Sequence, residues 1–179
     1  MRLSLFAAGW GRTAFIKARG LPAVLDMLKE HKFDGFEATA EELGATFQDK
    51  LDACKFLKER GMRLIYSAYT TWPGYEGLHP GFTTPAEHLD MLERELACAA
   101  ELEAAFPDTL AHVNVHAGCD SFTDAEADAY YEKALSRIDS FLSVDLSGAL
   151  GDGVDDSHLH PRRVDVDLHD YKVRRRHHF

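Results

Sequence analysis

The chain has 179 residues, of which 45% are hydrophobic and 28% charged, and its formal net charge is -10 at pH 7. Such a composition is typical of one globular domain, which at this length buries about 70% of its unfolded surface. The acidic balance argues against nucleic-acid binding, which needs basic surface to displace phosphate counterions. The three cysteines show no disulfide spacing and no apolar run is long enough for a membrane span, so we expect a cytoplasmic protein without a membrane partner.

Short apolar runs alternate with amphipathic stretches from the N-terminus onward. Residues 2–8 predict a first strand, residues 21–32 a helix with apolar side chains at three- and four-residue spacing, and residues 33–39 a second strand. Residues 46–61 predict a helix that ends at a glycine, and residues 62–69 predict a third strand. This alternation is typical of a parallel sheet whose strands are linked by helices.

Two helix starts carry the strongest local signals in the second half of the chain. TPAE at 84–87 and TDAE at 123–126 each place a glutamate three residues after an N-cap threonine, which is the capping-box pattern. Between the two helices, residues 112–116 alternate polar and apolar side chains, as a fourth strand does. The order β-α-β-α-β-α-β-α over residues 1–143 therefore predicts an α/β fold.

The repeated β-α unit favours a partial (β/α)8 TIM barrel of about four β-α units, because a complete barrel usually needs about 250 residues. An open doubly wound sheet is the competing architecture, but no predicted strand is followed by a G-x-G-x-x-G fingerprint. In a barrel, polar residues at alternate strand positions point inwards, and those at the carboxyl ends of the strands line the ligand site.

The composition changes after residue 143, where glycine and aspartate become frequent and five of the ten histidines follow within residues 151–179. We therefore divide the chain into an N-terminal half-barrel, 1–143, and an irregular or disordered tail, 144–179, that stands where a truncated barrel would continue. Within the tail, residues 164–171 suit an exposed edge strand. A histidine metal site and a basic targeting or nucleic-acid cluster at 174–176 are less favoured alternatives for the tail.

Three segments carry a resemblance: DGFEAT at 34–39, YSAYTTW at 66–72 and HVNVHAGCDSF at 112–122. In their order and spacing they resemble the xylose isomerase-like TIM barrels, the sugar-phosphate isomerase and epimerase superfamily. The resemblance implies a small sugar or sugar-phosphate substrate and a divalent metal, Mn, Mg, Co or Zn, at the carboxyl rim of the barrel. Because the superfamily takes its key metal ligands from strands 5 to 8, it also implies an incomplete metal site here, and no residue is assigned as a ligand.

Five residues are candidates for a site at the rim. Glu37 ends the second predicted strand and His116 the fourth, and both are predicted to be catalytic. Tyr69, Trp72 and Asn114 are predicted to bind substrate, the aromatic rings by covering the flat face of a sugar. Structural alternatives remain open, since Glu37 could pair with a lysine or arginine, His116 could be a packed core residue, and the aromatic side chains could anchor a loop.

The resemblance implies a metal-dependent isomerase or epimerase, which needs an acid and a base on opposite sides of the substrate. The alternative is a catalytically inactive half-barrel that acts through association with another chain. The open edges at the first and fourth strands favour self-association, because unpaired backbone groups there can pair with a second chain.

Overall fold

The computed structural model describes residues 3–9, 12–70, 84–116, 118, 122–148 and 163–166, with the backbone alone at 116, 139–148 and 163–166. No helix within these residues has an apolar stretch of the length that a membrane crossing requires.

Five parallel strands form the sheet. They are β1 (Phe6–Ala8), β2 (Gly35–Thr39), β3 (Arg63–Tyr69), β4 (Leu110–His116) and β5 (Arg163–Val166). Their order in the sheet is their order in the chain, and every neighbouring pair is parallel. The protein is thus an α/β protein with a parallel sheet, which confirms the predicted alternation.

Six helices connect or follow the strands in the described part of the chain. They are α1 (Thr13–Arg19), α2 (Leu21–Glu30), α3 (Ala40–Leu43), α4 (Phe47–Glu59), α5 (Pro85–Ala105) and α6 (Asp124–Gly148). The sequence did not predict α1 or α3, because helices of seven and four residues are too short to show a periodic apolar stripe.

The ends of several elements differ from the predicted ones. β1 is three residues long rather than seven, and Leu3 and Leu5 before it are exposed. At the other end of the domain, α6 runs to Gly148, five residues beyond the predicted boundary at 143. β5 lies inside the tail expected to be irregular and overlaps the stretch 164–171 expected to be an edge strand. Because β5 pairs with β4, the edges of the sheet are β1 and β5, and the predicted open edge at the fourth strand is wrong.

The helices pack against one side of the sheet. The strand residues that belong to the hydrophobic core occupy alternate positions: Ala7, Phe36, Ala38, Leu64, Tyr66, Ala68, Val113 and Val115. Right-handed crossovers between strands in sequential order place each connecting helix on the same side, whereas a doubly wound sheet reverses direction and covers both sides. The sheet is therefore singly wound.

The remaining strand positions form a second face, which we call the polar face. Its described side chains include Phe6, Glu37, Ile65, Ser67, Tyr69, His112 and Asn114. Ile65 is buried, yet it lies outside the hydrophobic core under the helices. The strands of a parallel sheet are usually apolar throughout, because both faces of the sheet are covered. A face with this many polar groups therefore indicates a surface for a ligand or a partner.

Candidate functional site

Glu37 is held on the polar face by two neutral donors from the neighbouring strands. Its Oε1 accepts hydrogen bonds from Ser67 Oγ at 3.0 Å and from Asn114 Nδ2 at 3.0 Å. Ser67 is buried, whereas Glu37 and Asn114 are half-buried. We call these three residues the Glu37 cluster; it joins β2, β3 and β4 on one face.

The register of the parallel strands brings the cluster together. Thr39 lies beside Ser67, and Ser67 lies beside Asn114. Glu37 is two residues before Thr39 on the same face, so its long side chain reaches its partners diagonally. The cluster therefore follows from strand alternation and register.

The second carboxylate oxygen of Glu37 is open. Among the residues described, neither a hydrogen bond nor an ion pair involves Glu37 Oε2, so the alternative in which Glu37 pairs with a lysine or arginine is not seen there. The two donors on Oε1 orient the carboxylate without neutralising its charge. The geometry leaves one anionic oxygen for a ligand proton or hydroxyl.

A second carboxyl group, that of Glu42, lies at the junction of β2 and α3. The Thr39 backbone N–H donates to Glu42 Oε2 at 2.9 Å, and Glu42 N–H donates back to Thr39 Oγ1, a capping box that ends the strand two residues after Glu37. Burial raises the pKa of Glu42 against the hydrogen bonds from Thr39, and the negative charges of Glu41 and, last, Glu37 raise it further. A second carboxyl group therefore lies near Glu37 at the end of β2.

The amino end of the polar face is apolar. The Phe6 ring lies beside Gly35, where a Cβ would overlap it, and the Arg63 guanidinium lies 5.9 Å from the centre of that ring. Ile65 follows as the next apolar residue towards the Glu37 cluster. Polar side chains are thus concentrated at the carboxyl half of the strands, the end at which α/β proteins bind ligands.

The other predicted site residues are only partly described. Tyr69 ends β3, is half-buried and lies beside His116 in the register. The backbone of His116 ends β4, but its side chain is outside the described atoms, and Trp72 falls in the segment 71–83, also outside them. The structure therefore joins Glu37 with Asn114 directly and places Tyr69 and His116 one step nearer the rim.

Ser67 is the member of the cluster that sequence reasoning did not select. It stands in the stretch RLIYSAY, where a small polar side chain two residues after Ile65 gives little contrast. The sequence could have indicated Ser67 through Tyr69, because residues two positions apart on a strand lie on the same face of the sheet.

A buried polar cluster fixes the loops at the carboxyl ends of β3 and β4. Thr70 Oγ1 accepts a hydrogen bond from the Gly118 N–H at 3.0 Å and lies 3.0 Å from His88 Nδ1. Phe122 and Tyr130 pack edge-on around the His88 ring and each other. Because Thr70 is fully buried, this network ties the rim of the polar face to α5 and α6.

One ionisable pair lies on the helix side of the sheet, away from the polar face. The Tyr66 hydroxyl donates to Glu95 Oε2 at 2.5 Å and so links β3 to α5. Burial raises the pKa of Glu95, against the hydrogen bond from Tyr66, which lowers it. Burial and the nearby charge of Glu95 likewise raise the pKa of Tyr66. The pair connects sheet and helix and does not reach the polar face.

Replacing Glu95 with glutamine is expected to stabilise the protein at neutral pH. Because the pKa of Glu95 is raised in the folded state, the unfolded chain ionises first as the pH rises above about 4.5. The free energy of unfolding of the wild type therefore decreases as the pH rises, until the pH exceeds the raised pKa of Glu95. Glu95→Gln avoids this loss because its amide oxygen still accepts the hydrogen bond from Tyr66 and carries no charge. Urea unfolding between about pH 4 and pH 8 measures the difference. The control is Glu101→Gln on the exposed side of α5, and equal pH profiles for wild type and Glu95→Gln would contradict the expectation.

The two described cysteines have thiol pKa values raised by burial. Burial raises the pKa of the Cys54 thiol to about 12, and burial also raises the pKa of Cys98. Both pack with the core under the helices, as small hydrophobic residues. Cys119 lies outside the described residues.

The described residues do not provide a complete set of metal ligands. No group of three His, Cys, Asp or Glu side chains converges among them. Zinc usually takes three or four protein ligands, whereas Mg²⁺ can be held by one or two carboxylates together with water and substrate phosphate. Glu37 would be one ligand on this face, and a zinc ion would need further ligands from outside the described part of the chain.

The sequence matches no protein-family model, and no curated protein shows significant sequence similarity to it.

Proposed function

We propose that the polar face binds a sugar or sugar phosphate, and that the protein isomerises or epimerises it by proton transfer with Glu37 as the base. The observation that carries this proposal is the Glu37 cluster, in which one carboxylate oxygen is saturated by Ser67 and Asn114 while the other is open. A carboxylate fixed in this way is oriented for proton abstraction.

The singly wound sheet supports the architecture on which the proposal rests. Sequential parallel strands with helices on one side are the repeating unit of a (β/α)8 barrel, whose interior face carries the ligand site at the carboxyl ends. On this basis the polar face is one wall of a barrel interior.

The proposed reaction moves protons only. Glu37 removes the proton from the carbon next to the substrate carbonyl; the electron pair of that C–H bond forms a C=C bond, and the π pair of the carbonyl moves to its oxygen to give an enediolate. In an isomerisation the former carbonyl carbon receives a proton, and the proton of the neighbouring hydroxyl moves to the former carbonyl oxygen, so that the carbonyl is rebuilt one carbon along. In an epimerisation a proton returns to the opposite side of the carbon that lost it. No oxidant or reductant is consumed.

Neutral hydrogen-bond donors near Glu37 can stabilise the negative charge that develops on the carbonyl oxygen of the substrate. The Asn114 amide keeps one N–H beyond the bond it makes to Glu37, and Tyr69 follows on the adjacent strand. His116, beside Tyr69 in the register, is proposed as a further acid–base group on the same wall, and Trp72 as a cover for the sugar ring. A divalent metal, if bound, would polarise the carbonyl.

Proton exchange with solvent tests this function directly. The full chain is incubated in D2O with a panel of aldoses, ketoses and their phosphates, with and without Mg²⁺, Mn²⁺, Co²⁺ or Zn²⁺, and ¹H NMR follows the proton next to the carbonyl. Exchange accompanied by a new isomer or epimer supports the proposal. A folded chain that exchanges no substrate in any condition contradicts it and favours the alternative of an inactive half-barrel that acts by association.

A further inference from the structure

The two ends of the chain's helix layer carry opposite charge. The first 25 residues contain four basic side chains and no acidic one, although the whole chain has a net charge of -10. Residues 120–132 contain five acidic side chains and no lysine or arginine. In the first group, Lys17 and Arg19 lie on α1 and Arg12 directly precedes it. In the second group, Asp124, Glu126, Asp128 and Glu132 lie on the first turns of α6.

Exposed apolar side chains concentrate at the basic end. Six large hydrophobic side chains are exposed among the described residues, and four of them are Leu3, Leu5, Phe15 and Met27. Leu3 and Leu5 directly precede β1, which is an edge strand of the sheet.

Basic and apolar groups are adjacent at this end. The Arg19 guanidinium lies 5.7 Å from the centre of the exposed Phe15 ring. Met27 lies on the flank of α2 away from α4, because Asp26, which pairs with Arg60 at 2.7 Å, takes the other flank. We call Leu3, Leu5, Phe15, Arg19 and Met27 the β1 end.

The opposite end is the flank of α6 that faces away from α5. Arg137 pairs with Glu93 of α5 at 2.6 Å, which identifies the flank towards α5. Tyr130 and Ala134 face the core. The exposed residues on the remaining side are Asp128, Glu132 and Leu135, which we call the α6 end.

The geometry points to a second copy of this chain as the partner of both ends. We propose that the β1 end of one copy packs against the α6 end of the other, so that apolar groups meet and Arg19 faces Asp128. Neither Arg19 nor Asp128 forms an ion pair with a described residue of its own chain. Each copy has both ends, so two identical contacts close a two-fold ring.

The proposed ring also joins the sheets of the two copies at their edge strands. β1 and β5 are the two edges of each sheet, with three and four residues, and in the ring β1 of one copy lies beside β5 of the other. The edges that would otherwise expose unpaired backbone groups are then covered. Both polar faces turn towards one shared interior.

The ring supplies the second wall of the site, an inference that rests on the proposed function. Glu37 of one copy and Glu37 of the partner subunit face each other across the interior. One carboxylate can remove the proton from the substrate carbon, and the other, in its protonated form, can return one from the opposite side. A single chain offers only one of these walls.

Sedimentation velocity of the full chain without any sugar tests the association. We expect a dimer whose dissociation constant rises with salt, because screening weakens contacts between exposed charges. Arg19→Glu and Asp128→Lys should each weaken the dimer about tenfold, and the two together should restore it. Lys55→Glu on α4 and Glu101→Lys on α5, both exposed and away from either end, are matched controls that should leave it unchanged.

Circular dichroism confirms that each variant is folded before its association is measured. A wild-type monomer at every concentration, species larger than two copies, or charge reversals that act no differently from the controls would each overturn the proposed ring. A dimer without sugar chemistry would reject the proposed function alone, and sugar chemistry by a monomer would reject the ring alone.

Discussion

Glu37→Gln is expected to lower the rate of substrate proton exchange by about 10²- to 10⁴-fold, the usual contribution of a positioned acid–base group. The glutamine oxygen can accept the same two hydrogen bonds from Ser67 and Asn114, so the cluster keeps its geometry. What the variant loses is the open anionic oxygen that takes the proton. NMR exchange rates and sugar binding measured on the same preparations separate a loss of chemistry from a loss of affinity.

Glu41→Gln is the matched control, because Glu41 is an exposed carboxylate on α3 only four residues away. It should leave the exchange rate and the melting temperature unchanged. Ser67→Ala should reduce the rate less than Glu37→Gln, since Ser67 positions the carboxylate and transfers no proton. Full exchange activity in Glu37→Gln would show that another group is the base.

Gly35→Ala is expected to destabilise the protein by about 3 kcal/mol or more, towards the upper end of what overpacking a core costs. A Cβ at Gly35 would lie closer than 3.0 Å to the Phe6 ring and to the carbonyl oxygen of Arg63. The ring could rotate away, but the carbonyl belongs to the neighbouring strand and can move only if β2 and β3 separate. Thermal unfolding should show a drop in melting temperature of roughly 10 °C for a chain of this size.

Gly20→Ala is the control, because it adds the same methyl group at a position where the methyl group overlaps no neighbouring atom. Gly20 has a φ of 78°, and the nearest atom to an added Cβ is Pro22 Cδ at 3.9 Å. Its cost is therefore conformational, about 1 kcal/mol. A loss for Gly35→Ala no larger than that for Gly20→Ala would mean that β1 and β3 adjust freely around β2.

The repeating architecture could be predicted because it depends on local periodicity. Short apolar runs identified β2 and β3, side-chain alternation identified β4, and the capping patterns at Thr84 and Thr123 placed the starts of α5 and α6 within a residue. The short helices α1 and α3 could not be found in this way. α1 buries only Ile16, and α3 is a single turn held by the reciprocal bonds between Thr39 and Glu42 and by burial of Leu43.

The sequence predicted two members of the candidate site, Glu37 and Asn114, but it did not predict their hydrogen-bond partners. Glu37 was selected because it stands near a strand end, where barrel proteins bind ligands, and Asn114 because it belongs to the alternating polar residues that carry the resemblance on the fourth strand. Their hydrogen bonds through one oxygen depend on register between strands that lie 77 residues apart in the chain. Thr70 shows the same limit, since its buried bond to Gly118 joins two loops that no local pattern relates.

The sequential order of the strands also has a consequence for how the chain folds. Each strand pairs only with the strands before and after it in the chain, so the sheet can grow one unit at a time, without first bringing distant segments together. The seven-residue strands β3 and β4 lie within this array, while the three-residue β1 and the four-residue β5 have neighbours on one side only. Amide hydrogen exchange should therefore be slowest in β3 and fastest at the two outer strands, a gradient along which folding begins in the middle of the sheet and ends at its edges.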